Sequence, residues 1–148
     1  MTLLDSIIDQ LMRLRDSRPL PRMDRSVSME QFLRALQKTE YGNPDADGRF
    51  VLKPGDGGRA IGPLQIHKAY FIDAGIKGQY SQCVLWSFSV KVFINYMLRY
   101  APSSLFSNDF QTLARIHNGG PQGAQKESTV KYWDRVSLRL NKLKEIRK

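Results

Sequence analysis

Glu40 is the residue of this sequence whose surroundings best suit acid catalysis. A run of apolar residues at helical spacing leads up to it and predicts a helix whose last turn holds the glutamate on the side facing the core. These apolar residues are Met29, Phe32, Leu33 and Leu36. Apolar surroundings and the negative end of a helix dipole both raise the pKa of a carboxyl group. A glutamate that stays protonated near neutral pH can donate a proton to a glycosidic oxygen, whereas the competing interpretation is an exposed glutamate at a frayed helix end.

Three further carboxylates follow in a stretch rich in Gly, Asp and Pro, residues 43–61. They belong to Asp45, Asp47 and Asp56. The turns of this stretch predict a hairpin or a long loop, from which any of the three can reach Glu40. Cleavage of a glycosidic bond commonly needs a second carboxylate opposite the acid. Residues 45–48, Asp-Ala-Asp-Gly, are similar to the start of a calcium loop but lack its further oxygen ligands, so we expect no metal ion.

Two glycine-containing turns carry polar side chains that can contact a ligand. Residues 62–65, Gly-Pro-Leu-Gln, predict a turn before a helix and offer the side-chain amide of Gln65. Residues 118–121, Asn-Gly-Gly-Pro, predict a turn with an accessible backbone, and His117 stands at its edge. Taken on its own, the second turn is better explained as a helix end with an incidental histidine.

The helices expected around these turns begin with the one that ends at Glu40. Ser28 and Gln31 fit a capping box at its start. Residues 84–100 have the strongest helical pattern and predict the central buried helix. Its apolar face comprises Leu85, Phe88, Val92, Phe93, Tyr96, Met97 and Tyr100.

Two more helices are expected towards the C-terminus. Asp109 or Asn108 can cap a short helix that stops at the Asn-Gly-Gly-Pro turn. The last helix starts near Ser128 or Thr129, with one apolar and one basic face. The apolar face carries Val130, Trp133, Val136, Leu140 and Leu143.

Composition indicates a single globular domain. The chain has 148 residues, 41% of them hydrophobic, and a net charge of +9 that favours anionic partners without choosing among them. No apolar run is long enough to span a bilayer, and no secretory signal peptide is evident. The single cysteine, Cys83, predicts a buried structural thiol. We expect an N-terminal amphipathic helix and linker in residues 1–27 and the main domain in residues 28–148.

Together these elements resemble the invertebrate-type lysozymes, a family of destabilase-like glycoside hydrolases, from about Met29 to Val136. The resemblance rests on residues 36–40, residues 56–66 with Tyr70 and Asp73, residues 95–100, residues 115–123, Thr129, and Tyr132 with Trp133. The most specific motif is His-Asn-Gly-Gly-Pro at residues 117–121. The Gly-Pro-x-Gln-Ile turn is shared with wider lysozyme and lytic-transglycosylase relatives.

The resemblance implies a mainly α (α+β) lysozyme-like fold in which a small β-hairpin region forms one side of the cleft. It makes Glu40 the general acid and Asp56 the second carboxylate, because Asp56 leads into the turn at residues 62–65. Asp45 and Asp47 stay open as alternatives, since the length of this loop differs from the family pattern. It also implies that the residues bordering the glycan are Gln65, Tyr70, His117, Asn118 and Gly119.

The implied function is that of a muramidase, a bacteriolytic hydrolase acting on the β-1,4 bonds of peptidoglycan or a related N-acetylated glycan. We expect a monomer that needs no cofactor, acts at the bacterial cell wall and binds no specific nucleic acid. The main alternative is a catalytically silent glycan-binding or cell-wall-binding module with the same fold. A basic nucleic-acid-binding helical protein would explain the charge, but no recognisable DNA- or RNA-binding motif supports it.

Overall fold

The computed structural model describes residues 27–41 and 59–146. In this part of the chain, helices pack around a core and a two-stranded antiparallel sheet lies beside them. The α-helices are α1 (Met29–Glu40), α2 (Lys68–Ala74), α3 (Trp86–Tyr100), α4 (Pro102–Phe106), α5 (Phe110–Gly119) and α6 (Val130–Ile146). The strands are β1 (Ala60–Ile61) and β2 (Ile66–His67), and short 3₁₀ helices span Tyr80–Val84, Gly123–Gln125 and Glu127–Thr129.

Helix α1 begins and ends where the sequence predicted. Ser28 Oγ accepts a hydrogen bond from Gln31 N at 3.1 Å, and Gln31 Oε1 accepts one from Ser28 N at 2.9 Å, so the capping box is confirmed. The amphipathic pattern turns the apolar side into the core, where Phe32, Leu33 and Leu36 are fully buried. The helix therefore delivers its last residue, Glu40, to the edge of the core.

The hairpin is formed by a turn, residues 62–65, between β1 and β2. Ala60 pairs with His67 and Ile61 with Ile66. Gly62 has a φ of 78°, and a Cβ on it would lie 1.9 Å from the Cys83 carbonyl oxygen, so only glycine fits this close approach. The predicted turn and helix are confirmed in this region, although most of the predicted loop at residues 43–61 lies outside the described residues.

Helix α3 is the central buried helix, as predicted, but one residue of its apolar face was misplaced. Leu85 is 55% exposed because its backbone is extended and the helix begins only at Trp86. The preceding 3₁₀ helix instead buries Cys83, which confirms the prediction of a structural thiol. The residues of α3 that are buried are Ser89, Val90, Val92, Phe93, Ile94, Tyr96 and Met97.

Helix α5 is capped by Asp109, whose side chain accepts from Thr112 N, so the alternative cap Asn108 was wrong. Helix α6 packs against α1 and α5, with Val136 and Leu140 buried. Val130 was assigned to its apolar face but is 40% exposed, because it lies in the first turn and Tyr132 occupies the inward position instead. The predicted N-terminal helix and linker fall outside the described residues, apart from Val27, which is buried in the core.

Candidate active site

Glu40 lies where the C-terminal end of α1 meets α6. The Tyr132 hydroxyl donates a hydrogen bond to Glu40 Oε1 at 2.7 Å. Only 20% of the Glu40 side chain is exposed, and Tyr132 itself is buried. The carboxyl group is thus held from one side by a buried neutral donor and reaches solvent with a small part of its surface.

The pKa of Glu40 is raised from 4.5 to about 7. The main cause is burial, which removes water from the ionised carboxylate. The hydrogen bond from Tyr132 and the positive charge of Arg135 both oppose the shift and are the smaller effects. The carboxyl group is therefore half protonated near neutral pH, where an ordinary glutamate is ionised.

His117 is a buried neutral base that links the hairpin turn and helix α2 to the site. Its Nε2 is 2.9 Å from the Leu64 carbonyl oxygen, and its Nδ1 is 3.0 Å from the Tyr70 hydroxyl. Burial lowers the pKa of His117 to about 4, so the ring carries a single hydrogen near neutral pH. A carbonyl oxygen can only accept, so that hydrogen is on Nε2, and Nδ1 accepts from Tyr70.

Tyr70, on α2, completes this cluster through its ring. The ring stacks on that of Tyr96, with centroids 3.7 Å apart and an angle of 6° between the planes. The Tyr70 and His117 rings form a T-shaped pair, with centroids 5.3 Å apart and an angle of 82° between the planes. The structure therefore brings together Glu40, Tyr70 and His117, three of the predicted site residues, from three different helices.

Asn118 and Gly119 follow His117 in the last turn of α5. Two side-chain hydrogen bonds join this end of α5 to the segment that follows it. Arg115 Nε donates to Thr129 Oγ1 at 2.8 Å, and Lys126 Nζ donates to the Gly119 carbonyl at 2.6 Å. A Cβ on Gly119 would lie 2.6 Å from Thr129 Cγ2, so a glycine suits this contact. Asn118 is exposed at the surface of this turn.

Gln65 occupies the turn between β1 and β2, close in sequence to the Leu64 carbonyl that binds His117. Its backbone has a φ of 48°, and its side-chain amide donates to the Gly62 carbonyl at 2.9 Å. The side-chain NH₂ of Gln65, which we expected to contact a ligand, therefore already makes one hydrogen bond within the turn. Asp56, Asp45 and Asp47 lie outside the described residues.

Tyr132 is the residue of the site that sequence reasoning missed. Its contact with Glu40 joins positions 92 apart in the chain. The signal was the spacing of Tyr132, Val136 and Leu140, which recur every fourth residue and are all buried. A tyrosine on such a buried stripe needs a partner for its hydroxyl, which pointed to a polar group inside the fold.

No protein-family model matches the chain, but individual proteins do. The lysozyme of Meretrix lusoria is 39% identical over 82 residues, which are 54% of this chain and 67% of that protein. The invertebrate-type lysozyme of Ruditapes philippinarum is 36% identical over 80 residues, 53% of this chain and 59% of that protein. The crystal structure of Tapes japonica lysozyme aligns with a TM-score of 0.61 at 30% identity, over 80% of this chain and 92% of that one. The chain belongs to the invertebrate-type lysozymes.

Membership in the invertebrate-type lysozymes makes the chain a glycoside hydrolase of the lysozyme, or muramidase, type. The mainly helical fold with a small antiparallel sheet agrees with it, so the predicted family and fold class are confirmed. Among the described residues, no helix combines the length and the hydropathy that crossing a bilayer requires.

Proposed function

We propose that this invertebrate-type lysozyme cleaves β-1,4 glycosidic bonds of peptidoglycan with Glu40 as its general acid. The observation that carries the proposal is the state of the Glu40 carboxyl group, whose pKa burial raises to about 7. A general acid works best when its pKa lies near the working pH, because it then holds the proton and still releases it readily. Lysozyme chemistry requires such a group, and Glu40 meets the requirement.

In the proposed reaction, Glu40 protonates the oxygen of the leaving sugar after N-acetylmuramic acid. Asp56 stabilises the oxocarbenium-like transition state or attacks the anomeric carbon from the opposite side. Glu40, now ionised, then takes a proton from the incoming water. The proton returns to the acid at the end of the cycle, so no cofactor enters the balance.

The glycan is proposed to lie along the surface formed by the hairpin and the end of α5. The Tyr70 hydroxyl bonds to His117, and His117 also bonds to the Leu64 carbonyl. Because their polar atoms are occupied in this way, the two side chains are proposed to shape this surface and not to bind the glycan through hydrogen bonds. Asn118, Gly119 and Gln65 offer polar groups beside it. The net charge of +9 favours an anionic cell-wall polymer. We propose that the protein cleaves this polymer as a monomer and thereby lyses bacteria.

The decisive experiment measures new reducing ends released from purified peptidoglycan by wild type and by Glu40→Gln. We expect a loss of at least about 100-fold in the variant, because an amide cannot donate the acid proton. Glu127→Gln is the matched control, since it makes the same chemical change at an exposed glutamate. Activity of Glu40→Gln at the wild-type rate would exclude Glu40 as the acid. No release by either protein, with glycan binding retained, would favour the silent binding module.

The second carboxylate is tested separately by three single substitutions in the same assay. Asp56→Asn is expected to lose most of the activity, while Asp45→Asn and Asp47→Asn retain it. A larger loss in either of the latter two would transfer the role from Asp56 to that residue.

A further inference from the structure

Oxygen Oε1 of Glu40 accepts a hydrogen bond from the Tyr132 hydroxyl at 2.7 Å. His117 Nε2 lies 3.9 Å from the same oxygen, and its hydrogen is donated to the Leu64 carbonyl instead. A tyrosine hydroxyl can also accept, but Tyr132 is buried, and Glu40 Oε1 is the acceptor that the described residues provide for its hydroxyl hydrogen. An acid proton on Oε1 would meet the hydroxyl hydrogen of Tyr132, whereas an Oε1 without a proton accepts that hydrogen.

The other oxygen, Oε2, has a different environment. Within residues 27–41 and 59–146, no hydrogen bond is made to it, while the side chain is 20% exposed. A protonated carboxyl group has one accepting oxygen and one that bears the hydrogen. With Oε1 held as the acceptor, Oε2 is the oxygen left to carry the hydrogen.

We infer that Tyr132 is a positioning residue that fixes Oε1 of Glu40 as the accepting oxygen and thereby directs the acid proton to Oε2. This inference rests on the proposed function of Glu40. Among residues 27–41 and 59–146, the charged and titratable groups that face Glu40 are Tyr132 and Arg135 on α6, His117 on α5 and Tyr70 on α2. Of these, Tyr132 is the one whose hydrogen bond to the carboxyl group the structure records.

Tyr132 acts on Glu40 in two ways that can be measured apart. Its hydrogen bond stabilises the carboxylate and so lowers the pKa of Glu40 against the effect of burial. It also restricts rotation of the carboxyl group, which keeps Oε2 aimed in one direction. Loss of the hydroxyl should therefore raise the pKa and reduce kcat, with little effect on KM.

The test is Tyr132→Phe, which keeps the buried ring and removes the hydroxyl. We expect the alkaline limb of the kcat profile to move upwards by about one pH unit, since a hydrogen bond to a charged group is lost. We also expect kcat on the low-pH plateau to fall about 10-fold. Tyr80→Phe is the matched control, because it removes a hydroxyl that donates to Ile66 O at 2.6 Å, and its alkaline limb should stay in place.

Carboxyl ¹³C NMR gives a readout that does not depend on activity. The chain contains only four glutamates, Glu30, Glu40, Glu127 and Glu145, so the Glu40 signal is assigned by its loss in Glu40→Gln. We expect this signal to titrate near pH 7 in wild type and about one unit higher in Tyr132→Phe. An unchanged titration in Tyr132→Phe would overturn the positioning role, whatever the activity shows.

The same pair of measurements separates this inference from the proposed function. If the NMR titration moves and the alkaline limb of kcat does not, Tyr132 acts on Glu40 but Glu40 is not the acid. If Tyr132→Phe fails to fold, 3-fluorotyrosine at position 132 replaces it. This residue is a stronger donor that keeps the ring, and it should lower the Glu40 titration; no movement there would also overturn the inference.

Discussion

His117 Nε2 lies 3.9 Å from Glu40 Oε1, yet these two side chains form a neutral pair and not an ion pair. Burial lowers the pKa of His117 to about 4 and raises that of Glu40 to about 7, which reverses their order in water. Between these values neither group is charged. The histidine also has no lone pair to spare, because Nε2–H donates to Leu64 and Nδ1 accepts from Tyr70. Glu40 therefore keeps its proton, because both ring nitrogens of the neighbouring His117 already make hydrogen bonds.

The first prediction concerns the pH dependence of catalysis. Glu40 acts in its protonated form, so kcat on soluble peptidoglycan fragments should fall as the pH rises through about 7. The measurement is release of reducing ends between pH 4 and 9 at constant ionic strength. A kcat that stays constant up to pH 9 would contradict the assignment of Glu40 as the acid.

The second prediction concerns stability. The raised pKa means that protonated Glu40 stabilises the fold below pH 4.5, and that this contribution is lost as the pH rises through about 7. Glutamine does not ionise, so Glu40→Gln should gain stability relative to wild type over this window, by about 3 kcal/mol at pH 8.

Urea unfolding of both proteins at pH 4.5 and pH 8 measures this difference. The exposed control Glu127→Gln should behave like wild type at both values. If Glu40→Gln changes the free energy of unfolding equally at the two pH values, burial of the ionised carboxylate is not the cause of the change.

The third prediction concerns the tautomer of His117. The chain has only two histidines, so a His67→Gln variant leaves the His117 ring alone in a ¹⁵N spectrum. We expect the neutral form with hydrogen on Nε2 at pH 7, and protonation only near pH 4. The stability due to the buried neutral ring is present above pH 6.5 and is lost as the pH falls through about 4. Titration of His117 near pH 6.5 would mean that its ring is not buried as described.

The fourth prediction compares two glycines that both have positive φ. Gly62→Ala would push a Cβ to 1.9 Å from the Cys83 carbonyl, and we expect a loss of about 4 kcal/mol or more. Gly75→Ala meets nothing within 4 Å, so only the backbone cost of about 1 kcal/mol remains. Denaturant midpoints of the two variants measure the contrast. Equal losses of stability in the two variants would show that the backbone around Gly62 moves aside for the added Cβ at no extra cost.

Periodicity and caps determined most of the helices. The stripe that ends at Glu40, the capping box of Ser28 and Gln31, and the Asp109 cap are local features, since each depends on residues within one or two turns. Leu85 and Val130 were misplaced for a related reason. Both stand at a helix start, where Leu85 still has an extended backbone and Val130, although helical, lies in the first turn while Tyr132 takes the inward position.

Three features follow from the sequence alone: the family, the position of Glu40 on the inner side of a helix end, and the polar turns around Gln65 and His117. The hydrogen bond from the Tyr132 hydroxyl to Glu40, and those of His117 with Leu64 and Tyr70, arise from the tertiary packing. These contacts join residues 47 to 92 positions apart. Local spacing cannot report such contacts, because they depend on how the hairpin packs with α1, α2, α5 and α6. The pKa of Glu40 follows from that packing, since burial by distant residues is its main cause.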